Sequence, residues 1–126
     1  VEANPGRAIA FAGTLGDDHS LDQDYWPYPQ GLLTRIMPKS REVPLQTILA
    51  ENERLLSQCH PPASGAAKMN TFEADIISIY THPALLLGDQ CDRAGLKVEA
   101  RAWYERALAV NPQFSEARDA LARLEH

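Results

Sequence analysis

Cysteine and long apolar runs are both scarce in this 126-residue chain. Two cysteines, Cys59 and Cys91, are too few for a disulfide-rich scaffold, and their spacing matches no zinc pattern. The sequence leaves open whether they form one disulfide or remain two separate thiols. No run of about 18 apolar residues occurs, so no membrane span is predicted within these 126 residues. The hydrophobic fraction of 44% instead favours a domain that buries an apolar core.

Basic residues are also in deficit. The chain has 17 Asp and Glu against 12 Lys and Arg, which gives a formal net charge of −5. A nucleic-acid-binding surface concentrates Lys and Arg on one face, because its affinity comes from displacing counterions from phosphates. We therefore expect no nucleic-acid partner.

Patterns that support catalysis are missing from the sequence as well. No serine lies in a Gly-x-Ser-x-Gly elbow, and no glycine-rich phosphate loop occurs. The acidic run at 17–24 lacks the bidentate Glu and the turn glycine of a calcium loop, so we interpret it as a solvated loop. We predict that the chain is not an enzyme and binds neither a cofactor nor a metal ion.

Residues 1–43 form an extended, loop-rich segment in this interpretation, because closely spaced prolines and glycines forbid long helices. Two runs of strand length, 7–12 and 32–37, are predicted to pair as a two-stranded ribbon. The aromatic cluster at 25–29 (Tyr-Trp-Pro-Tyr-Pro) is interpreted as a loop folded onto the helices. Binding of a proline-rich or sugar ligand by its flat rings is the alternative.

From Pro44 onward the apolar residues recur at helical spacing. They predict a first helix over 44–58 and a second that begins after Asn70, a residue typical of N-caps. Pro83 is expected to break or kink this second helix near Thr81, so that a new helix starts there. The sequence therefore predicts a helical domain over 44–126.

Residues 81–114 carry small and large residues at fixed spacings. The stretch reads THPALLLGDQCDRAGLKVEARAWYERALAVNPQF. The positions that form the pattern are Leu87, Gly88, Gly95, Ala100, Tyr104, Ala107 and Pro112. At these spacings the stretch resembles one tetratricopeptide repeat, a unit of about 34 residues that folds as two antiparallel helices. The resemblance implies a mainly α fold, an antiparallel helix stack with a small extended N-terminal segment.

The small residues of this pattern have a physical role. Gly88 and Ala100 would let two helices approach closely enough for Leu87 and Tyr104 to interlock. Gly95 can adopt the left-handed conformation that ends the first helix.

A further run of apolar residues follows the repeat. Its members are Phe114, Ala117, Leu121 and Leu124. Their spacing predicts a helix over 115–126 that caps the stack with a polar outer face. One repeat cannot bury its own apolar face, so we expect the helices at 44–58 and 66–80 to supply the missing surface.

The resemblance also implies a peptide groove lined by the first helix of the repeat. The corresponding positions are His82, Leu85, Asp89 and Asp92. Two carboxylates would repel an acidic peptide and favour a basic one. We therefore expect a non-catalytic protein-protein interaction or assembly module, such as a scaffold, with a protein or basic peptide as partner. A homodimer through leftover apolar helix faces is a sub-case.

A second hypothesis comes from residues 5–32. The run Pro5 to Phe11, the Gly16-Asp17-Asp18 triplet and the run Tyr28 to Leu32 resemble the soluble part of polytopic membrane glycosyltransferases, some of which end in tetratricopeptide tails. This resemblance implies a soluble C-terminal domain of a larger membrane protein, on the cytoplasmic or exported side, with catalysis elsewhere. Because the chain begins with Val1 and not with Met, we expect a processed or truncated start, that is, a fragment.

Overall fold

The computed structural model describes residues 9–12, 23–62 and 72–125. The elements in chain order are β1 (Ile9–Ala12), β2 (Tyr25–Gln30), β3 (Leu33–Pro38), α1 (Leu45–Leu56), α2 (Phe72–Arg93), α3 (Lys97–Val110) and α4 (Ser115–Glu125). The fold is mainly α with a small antiparallel sheet near the N-terminus, which confirms the predicted fold class. The predicted N-cap Asn70 and the first six residues of the acidic run lie outside the described residues.

The chain divides into two compact units, Val1–Ser57 and Gln58–His126. The sequence alone placed the division between residues 43 and 44, at the start of the first predicted helix. That helix is present as α1, and it packs on strand β2 within the N-terminal unit. The C-terminal unit contains α2, α3 and α4.

The N-terminal sheet has the strand order β1-β3-β2, with both pairs antiparallel. Pairing of β1 with β3 confirms the predicted ribbon. The interpretation of the aromatic cluster as a loop is wrong, because these residues form strand β2. Gly31, at φ 64°, allows a two-residue connection that pairs Gln30 directly with Leu33.

Prolines within a strand usually argue against a sheet, yet β2 contains Pro27 and Pro29. Because the connection has two residues, Gln30 and Leu33 form the hydrogen-bonded pair next to the turn. Hydrogen-bonded pairs alternate along antiparallel strands, so Tyr28, two residues earlier, also directs its N–H and C=O groups toward β3. The two prolines alternate with these residues and direct their backbone toward the outer edge. Their missing N–H groups therefore remove no hydrogen bond from the pairing with β3.

Asn52 of helix α1 covers this outer edge. Its side chain is fully buried. The amide Nδ2 donates to the Pro29 carbonyl at 2.6 Å and to the Ile48 carbonyl at 2.8 Å, while Oδ1 accepts from the Gly31 N–H at 2.8 Å. One side chain thus satisfies the backbone groups that a neighbouring strand would otherwise satisfy.

In the C-terminal unit, helices α2 and α3 form a hairpin with a three-residue connection. Gly95 has φ 77° and donates its N–H to the Asp92 carbonyl at 3.0 Å, and Leu96 donates to the Cys91 carbonyl at 2.9 Å. These two bonds are those of a Schellman motif, which satisfies the last carbonyls of a helix and reverses the chain.

The predicted break near Pro83 is wrong, because α2 is a continuous helix of 22 residues with Pro83 inside it. A proline in a helix interior loses one backbone bond and costs about 3 kcal/mol. Buried residues stand on both sides of Pro83, among them Ile77, Ala84 and Leu87. Burial of this continuous face offsets the cost of the lost bond.

The core of the C-terminal unit consists of small and large side chains from all three helices. Its members with no exposed surface are Leu87, Cys91, Ala100, Tyr104, Ala107 and Ala117. The Tyr104 ring lies directly over Gly88, where an added Cβ would come within 2.5 Å of the ring atom Cδ1. Helices α2 and α3 are therefore closest at a residue that has no side chain.

We predict that Asn52→Ala destabilises the N-terminal unit by roughly 2 to 4 kcal/mol, because it leaves the Gly31 N–H and the Pro29 carbonyl without a partner. Chemical denaturation and the exchange rate of the Gly31 amide hydrogen measure the effect. Gln46→Ala, an exposed amide on the same helix, is the control. Unchanged exchange at Gly31 in Asn52→Ala would contradict the assigned role.

We predict that alanine substitutions at two glycines destabilise the C-terminal unit for different reasons. Gly88→Ala forces a methyl group into the buried Tyr104 ring and should cost about 1 to 3 kcal/mol. Gly95→Ala meets no atom within 4 Å and should cost only about 1 to 2 kcal/mol, from left-handed backbone strain. Urea denaturation of both variants and of Gly88→Ala/Tyr104→Leu tests this, since the smaller side chain should relieve the first cost only. A Gly88→Ala protein more stable than the wild type, as helix propensity alone suggests, would refute the close packing.

Candidate functional site

The four residues of the predicted groove all lie on helix α2. His82, Leu85, Asp89 and Asp92 are three or four residues apart, so they share one side of the helix over three turns. His82 is exposed, and the other three are half-buried. We call this side of α2 the acidic face.

Asp89 links the acidic face to helix α3. The hydroxyl of Tyr104 donates to Asp89 Oδ1 at 2.7 Å. Because the Tyr104 ring is fully buried and its partner is a carboxylate, this bond is of the strong, charge-assisted kind. Burial, then the bond to Asp89, raise the pKa of Tyr104 well above its usual value. One oxygen of Asp89 is thus committed to a structural contact.

Asp92 forms an ion pair across the helical turn. Lys97 Nζ lies 2.9 Å from Asp92 Oδ1, and the two side chains are 61% and 31% exposed. A solvent-exposed pair of this kind is worth about 0 to 1 kcal/mol. Lys97 therefore offsets the charge of Asp92, but an external cation could replace it at little cost.

His82 contacts the start of helix α4. Its Nδ1 lies 2.9 Å from the Ser78 hydroxyl, and its ring centroid is 5.6 Å from that of Phe114, with an interplanar angle of 47°. Phe114 itself is buried. Contacts with the chain that leads into α4 thus fix one end of the acidic face.

Helix α4 adds charged groups that sequence reasoning missed. The pKa of Glu116 is lowered, first by a hydrogen bond from its own backbone N–H and then by one from the Ser115 hydroxyl at 2.8 Å. The charge of His82 acts in the same direction. Arg123 lies close enough to Tyr104 to oppose the increase in its pKa. Only the packing of α4 beside α2 and α3 brings these residues to the acidic face, because they are distant from it in sequence.

The aromatic cluster of β2 belongs to the N-terminal unit. Tyr28 is only 3% exposed, and burial raises the pKa of its hydroxyl. Trp26 is half-buried, with its ring centroid 5.2 Å from that of Tyr28. The Tyr28 ring is thus used in packing and is not available as a flat surface for a ligand.

The described residues contain neither a metal-binding cluster nor a membrane-spanning helix. Within residues 9–12, 23–62 and 72–125, no group of three or more His, Cys, Asp or Glu side chains is placed to hold a metal ion. Neither Cys59 nor Cys91 forms a disulfide. None of the described helices is both long enough and apolar enough to cross a membrane.

Comparison with models of known protein families, with curated proteins and with solved structures found no match for this chain.

We predict that the C-terminal unit loses stability as the pH rises from about 9 to 11. Burial, with a contribution from the charge of Glu99, raises the pKa of Cys91 from 9.0 to about 11. The unfolded thiol loses its proton first, so alkali favours the unfolded state by at most roughly 2 to 3 kcal/mol for this group. The raised pKa of Tyr104 adds to the loss above pH 10.

The measurement is urea denaturation at several values of pH between 8 and 11. Cys91→Ala should have a flatter dependence on pH, whereas Cys59→Ala should keep the slope of the wild type. Equal slopes in all three proteins would show that Cys91 does not titrate as expected.

We also predict that the two thiols differ in reactivity. Cys59 is half-buried, whereas Cys91 has no exposed surface and a raised pKa, so few Cys91 side chains are thiolates at pH 8. A disulfide reagent should label one thiol in the folded wild type and two in denaturant. Folded Cys59→Ala should stay unlabelled, and rapid labelling of that variant would contradict the burial of Cys91.

Proposed function

We propose that this chain is a non-catalytic protein-interaction module of the tetratricopeptide type, and that a basic peptide segment binds its acidic face. The main support is the α2–α3 hairpin, in which the buried ring of Tyr104 lies over Gly88. This contact joins the two helices at positions where the resemblance requires one small and one large residue.

Other positions of the repeat pattern support the proposal. Leu87, Ala100 and Ala107 are fully buried, and Gly95 ends α2 in the left-handed conformation. Helix α3 ends at Val110, and α4 begins at Ser115, where the first helix of a following repeat would start. The pattern and the packing therefore agree through the hairpin and into α4.

One departure concerns the first helix. Helix α2 begins at Phe72, nine residues before the start of the repeat pattern at Thr81, and it continues through Pro83. The proposed repeat thus shares its first helix with the preceding residues. The acidic face, from His82 to Asp92, lies in the part of α2 that the repeat pattern covers.

The charges of the acidic face favour a basic partner. Tyr104 occupies one oxygen of Asp89 and holds this carboxylate in place, and the residue is still partly exposed. Asp92 can exchange Lys97 for a cation of the partner, since their pair is exposed. Leu85 lies one turn N-terminal to Asp89 on the same side of α2, and it offers apolar contact to the stem of a Lys or Arg side chain.

The test is a titration with two labelled peptides of equal length, one containing lysines and the other containing glutamates at the same positions. The protein variants are Asp89→Asn/Asp92→Asn and, as a matched control, Glu105→Gln on the exposed surface of α3. Asparagine retains an oxygen that accepts the Tyr104 hydroxyl, so the double variant removes charge without removing this contact.

We expect the wild type to prefer the lysine peptide, and its affinity to fall with increasing salt concentration. The double variant should bind this peptide roughly tenfold more weakly, because each partly exposed ion pair contributes up to about 1 kcal/mol. Glu105→Gln should bind like the wild type. Equal affinity of the double variant and the control would remove the acidic face as the binding site.

A further inference from the structure

We draw no further inference here: the strongest candidate, the apolar surface stripe of Phe72, Ile79 and Leu86 along helix α2, carries nothing because nothing in the structure shows what covers it.

Discussion

The contact between Gly88 and the ring of Tyr104 determines how residues 72–125 pack. With no side chain at position 88, the ring lies against the backbone of α2, and its hydroxyl reaches Asp89. The small buried residues of α3 extend the same close approach along the helix. A larger side chain at position 88 would clash with the Tyr104 ring, which is fully buried.

The N-terminal unit solves a different problem with a single polar side chain. Strand β2 contains two prolines and is followed by Gly31, so its outer edge has few N–H donors. Asn52 from α1 binds Pro29 and Gly31 at this edge, and it is itself fully buried. A short sheet that would be only marginally stable alone is thereby stabilised by a helix packed against it.

The acidic face combines structural and proposed binding roles in the same residues. Asp89 accepts the Tyr104 hydroxyl, and Asp92 accepts Lys97 across the turn. A carboxylate that is already held in one orientation loses less conformational entropy when a ligand binds it. The same bond also makes Asp89 costly to replace by a residue that cannot accept a hydrogen bond, so only substitutions that conserve the acceptor separate charge from stability.

The sequence by itself determined the fold class, the pairing of β1 with β3, helix α1 and the hairpin glycine, because apolar period and backbone conformation are local properties. The predictions of a loop at 25–29 and of a break at Pro83 were wrong, because proline, considered with its sequence neighbours alone, indicates the end of a strand or helix. Only the tertiary structure decided that the edge of β2 tolerates prolines, that buried contacts carry α2 through Pro83, and that Glu116 and Arg123 approach the acidic face. Each outcome depends on atoms far apart in sequence, whose packing energy exceeds the local preference.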